Sequence, residues 1–341
     1  MPAESAMANH RPLTESDEMR LLTSYHDPGD DVLRFTLGNV SMAEAGNFVY
    51  LTLAVEESSE TEVARINGEA TVISGHLSRA LQSLAAAREC NVWVEEICVN
   101  QRSIEDRDQH IKLRPQLIRA ARKVVCYTEI DKGSALSPEQ LWQSVRAVDE
   151  SNTEEQERAF DNLQSFFGRP VWSKMGLLQE IPMGHSSMLY KGQFFDWTHL
   201  GSALWKLQTY RKATGEQKPE LWAVFCINNM WYRRNSMSTS ASSTQRWETS
   251  TLDAVTWSAP LKTKDPRDRL FKLFGVCFDA EEMLRSPSYG KSIETVYTDF
   301  TKAIVDDFGL EVLRLVAGTR PGVVSYYHRL PSWVPDFRYP R

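Results

Sequence analysis

Glu95, Glu96, Asn100 and Gln101 crowd into the stretch Asn91-Val-Trp-Val-Glu-Glu-Ile-Cys-Val-Asn-Gln101. Asn100 and Gln101 are neutral amides with a donor and an acceptor each, suited either to holding a loop or to binding a ligand's carbonyl. Adjacent on a strand, Glu95 and Glu96 point to opposite faces, so they are not a paired acid and base. One faces a pocket, Glu95 being the catalytic candidate, and the other meets an Arg or Lys. Gln179 and Glu180 close a second run, Trp172-Ser-Lys-Met-Gly-Leu-Leu-Gln-Glu180. They either brace a neighbouring loop through hydrogen bonds or set a carboxylate where charge develops in a reaction. Ten Trp are available, and Trp93, Trp172, Trp197, Trp205 and Trp222 suit an apolar cavity wall or a core. Trp93, Trp172 and Trp197 are the substrate-binding candidates, with Tyr50 and Thr52 of the first core strand. The seven His are isolated from one another and from the cysteines, and no Ser-His-Asp, Cys-His or metal-ligand spacing occurs. Neither a metal nor a cofactor is expected.

The elements that must position these side chains follow from patterning. Val92 to Val94 and Ile97 to Val99 are apolar and end in polar residues. Such a run reads as a buried strand feeding a loop at the carboxyl edge of a sheet, where open α/β sheets bind ligands. A helix from about Ile104 to Arg122 and a second apolar strand, Lys123-Val-Val-Cys-Tyr127, complete a βαβ unit. Pro115 removes one hydrogen bond from that helix and should kink or divide it.

Upstream, Met1 to Glu18 reads as loose, and Val32–Leu37 alternates as an edge strand after an Asp27-Pro-Gly-Asp30 turn. Phe48–Ala54 is the first core strand, and Ala64–Gly68 with Ala70–Ile73 makes a hairpin about an Asn-Gly turn. Ser74 caps a helix that carries Leu77, Ala80, Leu81 and Leu84 on one face. Ser137-Pro-Glu-Gln140 is a capping box that opens a helix to about Val148, and another helix carries Phe160, Leu163 and Phe167 on one face. Downstream, helices are expected at Trp197–Lys212, Leu221–Arg233, Asp268–Val276, Ile293–Phe308 and Leu310–Ala317. A polar, mobile loop is expected over about 235–251.

Composition narrows the class. The chain has 341 residues, is 42% hydrophobic and 25% charged, and carries a formal charge of −6. Mild acidity argues against a nucleic-acid surface, which needs clustered Lys and Arg. No apolar run approaches a membrane span and the polar N-terminus lacks a signal-peptide centre, so neither membrane insertion nor export is expected. Five scattered cysteines without CxxC spacing point to a reducing cytosol, hence a cytoplasmic location.

Trp93-Val-Glu-Glu-Ile-Cys-Val-Asn-Gln101 resembles the central Trp-Ile-Asp-Ala-Leu-Cys-Ile-Asn-Gln motif of the fungal heterokaryon-incompatibility (HET) domain. Trp172 to Glu180 resembles that family's Trp-x-x-Gln-Glu element, with Gly176 where a Trp would stand. Asp265-Pro-Arg-Asp-Arg-Leu-Phe-Lys-Leu-Phe-Gly275, Tyr289, Val296-Tyr297 and Leu330-Pro-Ser-Trp-Val-Pro-Asp336 resemble its C-terminal block. These last motifs read as architectural, Trp333 plugging the core. One departure is large: Thr52-Leu-Ala-Val-Glu-Glu57 replaces the Ser-Tyr-x-Trp-Gly signature. The resemblance implies an α/β fold, a TIR- or flavodoxin-like mainly parallel sheet flanked by helices. One domain is expected over 19–341, with an α/β core over about 30–200 and a helical C-terminal extension over about 200–341.

For function, the resemblance implies first an incompatibility or cell-death effector. HET domains are similar to TIR domains, some of which hydrolyse NAD with a glutamate shortly after a Trp, the position Glu180 matches loosely. Such a carboxylate stabilises an oxocarbenium-like centre as a glycosidic bond breaks. The chain is read as ending about where the domain ends, without the sensor region such proteins carry. A non-catalytic interaction module is a second reading. The third leads: a HET-like fold recruited to fungal secondary metabolism, similar to a norbornene-forming Diels–Alder cyclase of diterpenoid biosynthesis. A cycloaddition needs an apolar pocket that folds its substrate into a reactive conformer and one or two donors that polarise a carbonyl. Its partner would be a small apolar metabolite; homodimerisation stays open.

Overall fold

The computed structural model describes residues 10–15, 17–25, 34–130, 136–149, 153–216, 218–236, 249–312 and 330–338. Among them the strands are β1 (Glu18–Tyr25), β2 (Arg34–Ser41), β3 (Val49–Ala54), β4 (Thr61–Ile66), β5 (Glu69–Ser74), β6 (Asn91–Val94), β7 (Lys123–Thr128), β8 (Ser186–Tyr190) and β9 (Gln193–Asp196). The helices are α1 (Gly75–Ala86), α2 (Glu95–Cys98), α3 (Ile104–Ala120), α4 (Pro138–Ala147), α5 (Thr153–Phe167), α6 (Gly176–Met183), α7 (Trp197–Ala213), α8 (Trp222–Ser236), α9 (Thr251–Trp257), α10 (Asp268–Phe271), α11 (Ala280–Met283) and α12 (Ile293–Phe308). No described helix is long and apolar enough to cross a membrane. Packing divides the chain into two compact units, residues 1–171 with 184–203, and residues 172–183 with 204–341.

The first unit holds the sheet, in the order β5-β4-β2-β1-β6-β3-β7-β8-β9. β6, β3, β7 and β8 run parallel, and their spatial order is second, first, third, fourth along the chain, as in flavodoxin-type doubly wound sheets. The expectation of a mainly parallel sheet nevertheless needs correction. Four of the eight neighbouring pairings are antiparallel: β1 with β2, β1 with β6, β4 with β5 and β8 with β9. The sheet is mixed because β1 inserts against β6. Its Met19, Leu21 and Leu22 are buried, although the segment leading into it reads as loose in the sequence. β2, expected at an edge, pairs on both sides; the turn expected before it lies outside the described residues.

Local signals elsewhere translate directly. Asn67 and Gly68 take positive φ, 53° and 81°, as a tight β4–β5 turn requires. Ser74 Oγ accepts from Leu77 N at 3.2 Å to cap α1, and Ser137 with Gln140 forms the capping box of α4. Pro115 does not divide α3, which runs through it. The larger difference lies after β6. The strand stops at Val94 and Glu95–Cys98 is a helical turn, so the two glutamates do not alternate across a strand.

Asp106 fixes that turn. Arg20 of β1 gives Asp106 two hydrogen bonds, at 3.0 and 2.6 Å, and two more to the carbonyls of Cys98 (3.0 Å) and Arg11 (2.9 Å). Asn100 N adds a bond to Asp106 Oδ2 at 2.7 Å. Both charged residues are buried.

In the second unit α6 packs on α8, and Lys262 receives Met175 N at 2.9 Å, which ties 172–183 to this unit. Arg267 binds Asp265 and the carbonyls of Tyr289 and Lys291, at 2.5 and 2.8 Å, and Tyr297 Oη donates to Pro266 O at 2.8 Å. These are the architectural bonds expected of Asp265–Asp268. Trp333 does not plug a core: it is 39% exposed, while Val334 and Phe337 are buried. Most of the 235–251 loop and of the 310–317 helix expectation lie outside the described residues.

Arg20→Met leaves the Asp106 carboxylate buried without its main partner. It should lower stability by about 3 kcal/mol, read as a fall in the urea midpoint; an unchanged midpoint would show the pair to be dispensable.

Candidate functional site

The polar side chains of the central stretch are engaged by partners within the fold. Glu95 pairs with Arg114 Nη2 at 2.6 Å, and Glu96 accepts from Ser74 Oγ at 3.4 Å. Asn100 Oδ1 accepts from Arg102 N at 3.1 Å, and Gln101 Nε2 donates to Glu95 O at 3.3 Å. The two amides thus hold the loop between α2 and α3. Trp93 is fully buried and stacks on Tyr50 with centroids 4.6 Å apart; Thr52 beside them on β3 is half-buried.

Trp197 and Trp172 are likewise at most 1% exposed. Tyr50, Trp93, Trp172 and Trp197, expected to line a cavity, are filling side chains, because each projects from an element whose neighbours cover it. Trp172, Gln179 and Glu180 belong to the second unit, the other candidates to the first. Gln179 is buried and donates to Phe274 O at 2.7 Å. Glu180, also buried, folds back over the first turn of α6. A Cβ at Gly176 would lie 3.4 Å from both of its carboxylate oxygens, at the helix end that favours an anion.

A polar cluster that the sequence reading missed sits at the carboxyl end of the parallel strands. Glu129 follows β7, and His76 and Arg79 project from the first turns of α1. Arg79 Nε and Nη2 donate to the two Glu129 oxygens at 2.7 and 2.9 Å, Tyr127 Oη donates at 2.5 Å, and His76 Nδ1 meets the same carboxylate. Arg79 also reaches Glu60 at 3.0 Å. Burial pushes the Glu129 carboxyl up, but the hydrogen bonds from Arg79, Tyr127 and His76 outweigh it and hold it down at about 2. β3 and β7 are the neighbours between which the strand order reverses, the place where such sheets bind ligands. The signal was available: Tyr127-Thr-Glu129 ends an apolar strand in a carboxylate.

The second unit has an open cleft of about 610 Å³. Trp222, Phe225 and Cys226 of α8 line it together with Trp257 of α9 and Pro260, and Arg211, Lys212, Glu216 and Lys218 stand among its polar lining. Trp222 is 47% and Trp257 38% exposed. Of the tryptophans named from the sequence as cavity walls, Trp222 is the one that borders this cleft; Trp257 was missed, being the lone aromatic of a short helix. Cys226 Sγ donates to Trp257 O at 2.9 Å, and burial pushes its thiol up to about 12, far from a reactive thiolate. Among the described residues no group of three or more metal-ligating side chains forms.

The family model described as Heterokaryon incompatibility protein (HET) matches residues 39–180. No curated protein and no solved structure matches the chain.

Glu129 makes a pH prediction. Its folded carboxyl lies below the ordinary 4.5, so its contribution is present above about pH 4.5 and is lost as pH falls toward 2. Thermal unfolding should show the parent losing roughly 2–3 kcal/mol over that window relative to Glu129→Gln. Parallel pH profiles would mean that the Arg79 and His76 contacts contribute nothing.

Proposed function

We propose that this chain, whose residues 39–180 are a divergent heterokaryon-incompatibility domain, serves as a secondary-metabolism enzyme. It binds a small apolar, terpenoid-type metabolite and accelerates an intramolecular [4+2] cycloaddition. The observation that carries the reading is the Trp222–Trp257 cleft, whose volume falls within the roughly 300–1,000 Å³ of small-molecule sites. Two half-exposed indoles and Phe225 offer flat, rigid walls against which a flexible polyene can be pressed into a compact fold.

A cycloaddition joins diene to dienophile by two new carbon–carbon bonds with no proton transferred. Its barrier is therefore lowered mainly by holding the two ends together. A carbonyl on the dienophile would be polarised by a donor at the wall; Asn229 and Gln208 border the cleft and carry amide donors. On this reading the catalytic candidates Glu95, Asn100, Gln101, Gln179 and Glu180 support the fold instead.

A second reading, the family's cell-death effector with a TIR-like NAD hydrolase activity, is favoured by the Glu129–His76–Arg79 cluster at the strand-order reversal. Against it stand Glu56, Glu57, Glu60 and Glu62 beyond β3, carboxylates that repel a pyrophosphate. Purified protein should release no nicotinamide from NAD. Release above background that Glu180→Gln or Glu129→Gln abolishes would replace the cyclase by this reading.

The cyclase is tested with a polyene that carries a cyclopentadiene and an activated alkene, followed with and without protein. Trp222→Ala and Trp257→Ala should each slow cyclisation about tenfold to a hundredfold, and the rate should be flat between about pH 6 and 8. A bell-shaped pH profile, or full activity in both Trp variants, would overturn the proposal.

A further inference from the structure

The lining of the cleft is not electrically neutral. Arg211, Lys212 and Lys218 stand against one carboxylate, Glu216. Glu216 is shared, 2.5 Å from Arg211 Nη1 and 3.7 Å from Lys218 Nζ, whereas Lys212 has no ion pair among the described residues. The chain as a whole carries −6, so this mouth is a positive spot on an acidic protein. α8 starts at the same place, at Trp222, with no acidic residue in its first turn, and the positive end of its dipole adds to the field. Trp257 is already stacked by Arg233, 4.4 Å from its ring centroid, which fixes one indole wall.

We infer, on the basis that the Trp222–Trp257 cleft binds an apolar metabolite, that its ligand is an apolar carboxylic acid, with the ring system on the indoles and the carboxylate at Lys212 and Lys218. A neutral hydrocarbon would gain nothing from those cations and would strip water from them as it settled. A monoanion leaves the mouth still net positive, so its carboxylate is attracted there and can displace Glu216 from Lys218. A diphosphate is a poorer match: its charge of about −3 would turn the mouth net negative, and it meets Glu216, already shared by Arg211 and Lys218, at close range. The same arrangement orients the ligand, since only one end can face the lysines. For a substrate that must fold on itself, anchoring one end fixes which part of the chain lies on the aromatic floor.

The experiment titrates the full chain with dehydroabietic acid, its methyl ester and farnesyl diphosphate, reading quenching of tryptophan fluorescence in low and in 1 M salt. The acid should bind about tenfold more tightly than the ester. That advantage should vanish in high salt and in the Lys212→Glu/Lys218→Glu variant, whose thermal midpoint shows that it still folds. Equal binding of acid and ester, both weakened in Trp222→Ala, overturns the carboxylate assignment and leaves the apolar cleft standing. Tighter binding of the diphosphate than of the acid also overturns it. No binding of any of the three overturns the cleft reading itself.

Discussion

One buried carboxylate organises the first unit. Asp106 and Arg20 are both removed from water, a costly arrangement that persists only when hydrogen bonds replace the lost hydration. Here they do. Arg20 serves two carbonyls besides the carboxylate, and Asp106 also takes the Asn100 amide N–H. Burial raises the Asp106 carboxyl, but the hydrogen bonds from Arg20 and from the Asn100 N–H prevail and keep it below its ordinary value. The pair decides two things at once. It draws β1 against β6 antiparallel to it, and it bends the chain after Val94 into a helical turn. His110 is held neutral beneath it, desolvation pushing its pKa down. A change at Asp106 would therefore be felt in the β1–β6 pairing, the Asn100–Gln101 loop and the packing under Trp93 together.

Much of the fold was legible because its signals are local. The Asn-Gly turn, the Ser74 and Ser137 caps and the apolar runs of β3 and β7 depend on neighbouring residues only, and each appears where the local pattern places it. The mixed sheet was not legible. β1 is made by a polar-flanked stretch, Glu18–Tyr25, whose place beside β6 goes with contacts far along the chain, among them the ion pair its Arg20 makes 86 residues further on. No window of sequence contains that information. Glu95 and Glu96 were misplaced for the same reason: an apolar run on either side reads as one strand, and the Asp106 contacts that break it come from α3.

The site was less legible than the fold, and the aromatics show why. Trp93 and Trp222 are indistinguishable as residue types, yet one is fully buried beneath Tyr50 and the other half exposed at a cleft. What separates them is whether a later element covers the position, a tertiary property. The HET-like motif residues carried a different bias. Their spacing was recognisable, but side chains that recur to hold a loop, such as Asn100 and Gln101, look in sequence like side chains that bind a ligand. His76, Arg79 and Glu129 form a cluster only after α1 and β7 meet, which no spacing announces.

The two polar regions are suited to different chemistry. A carboxyl held near pKa 2 by Arg79, Tyr127 and His76 stays ionised at neutral pH, so Glu129 is not a general acid there. Acid–base work at the β3–β7 end would have to run through His76, with Glu129 orienting its Nδ1. That arrangement serves proton transfer, not substrate folding. The Trp222–Trp257 cleft has the opposite character. Its one thiol is held protonated far above neutrality, and its walls are rigid aromatic planes with charge confined to a few side chains. Such a surface acts through shape and fixed dipoles, which is the kind of assistance a concerted ring closure can use.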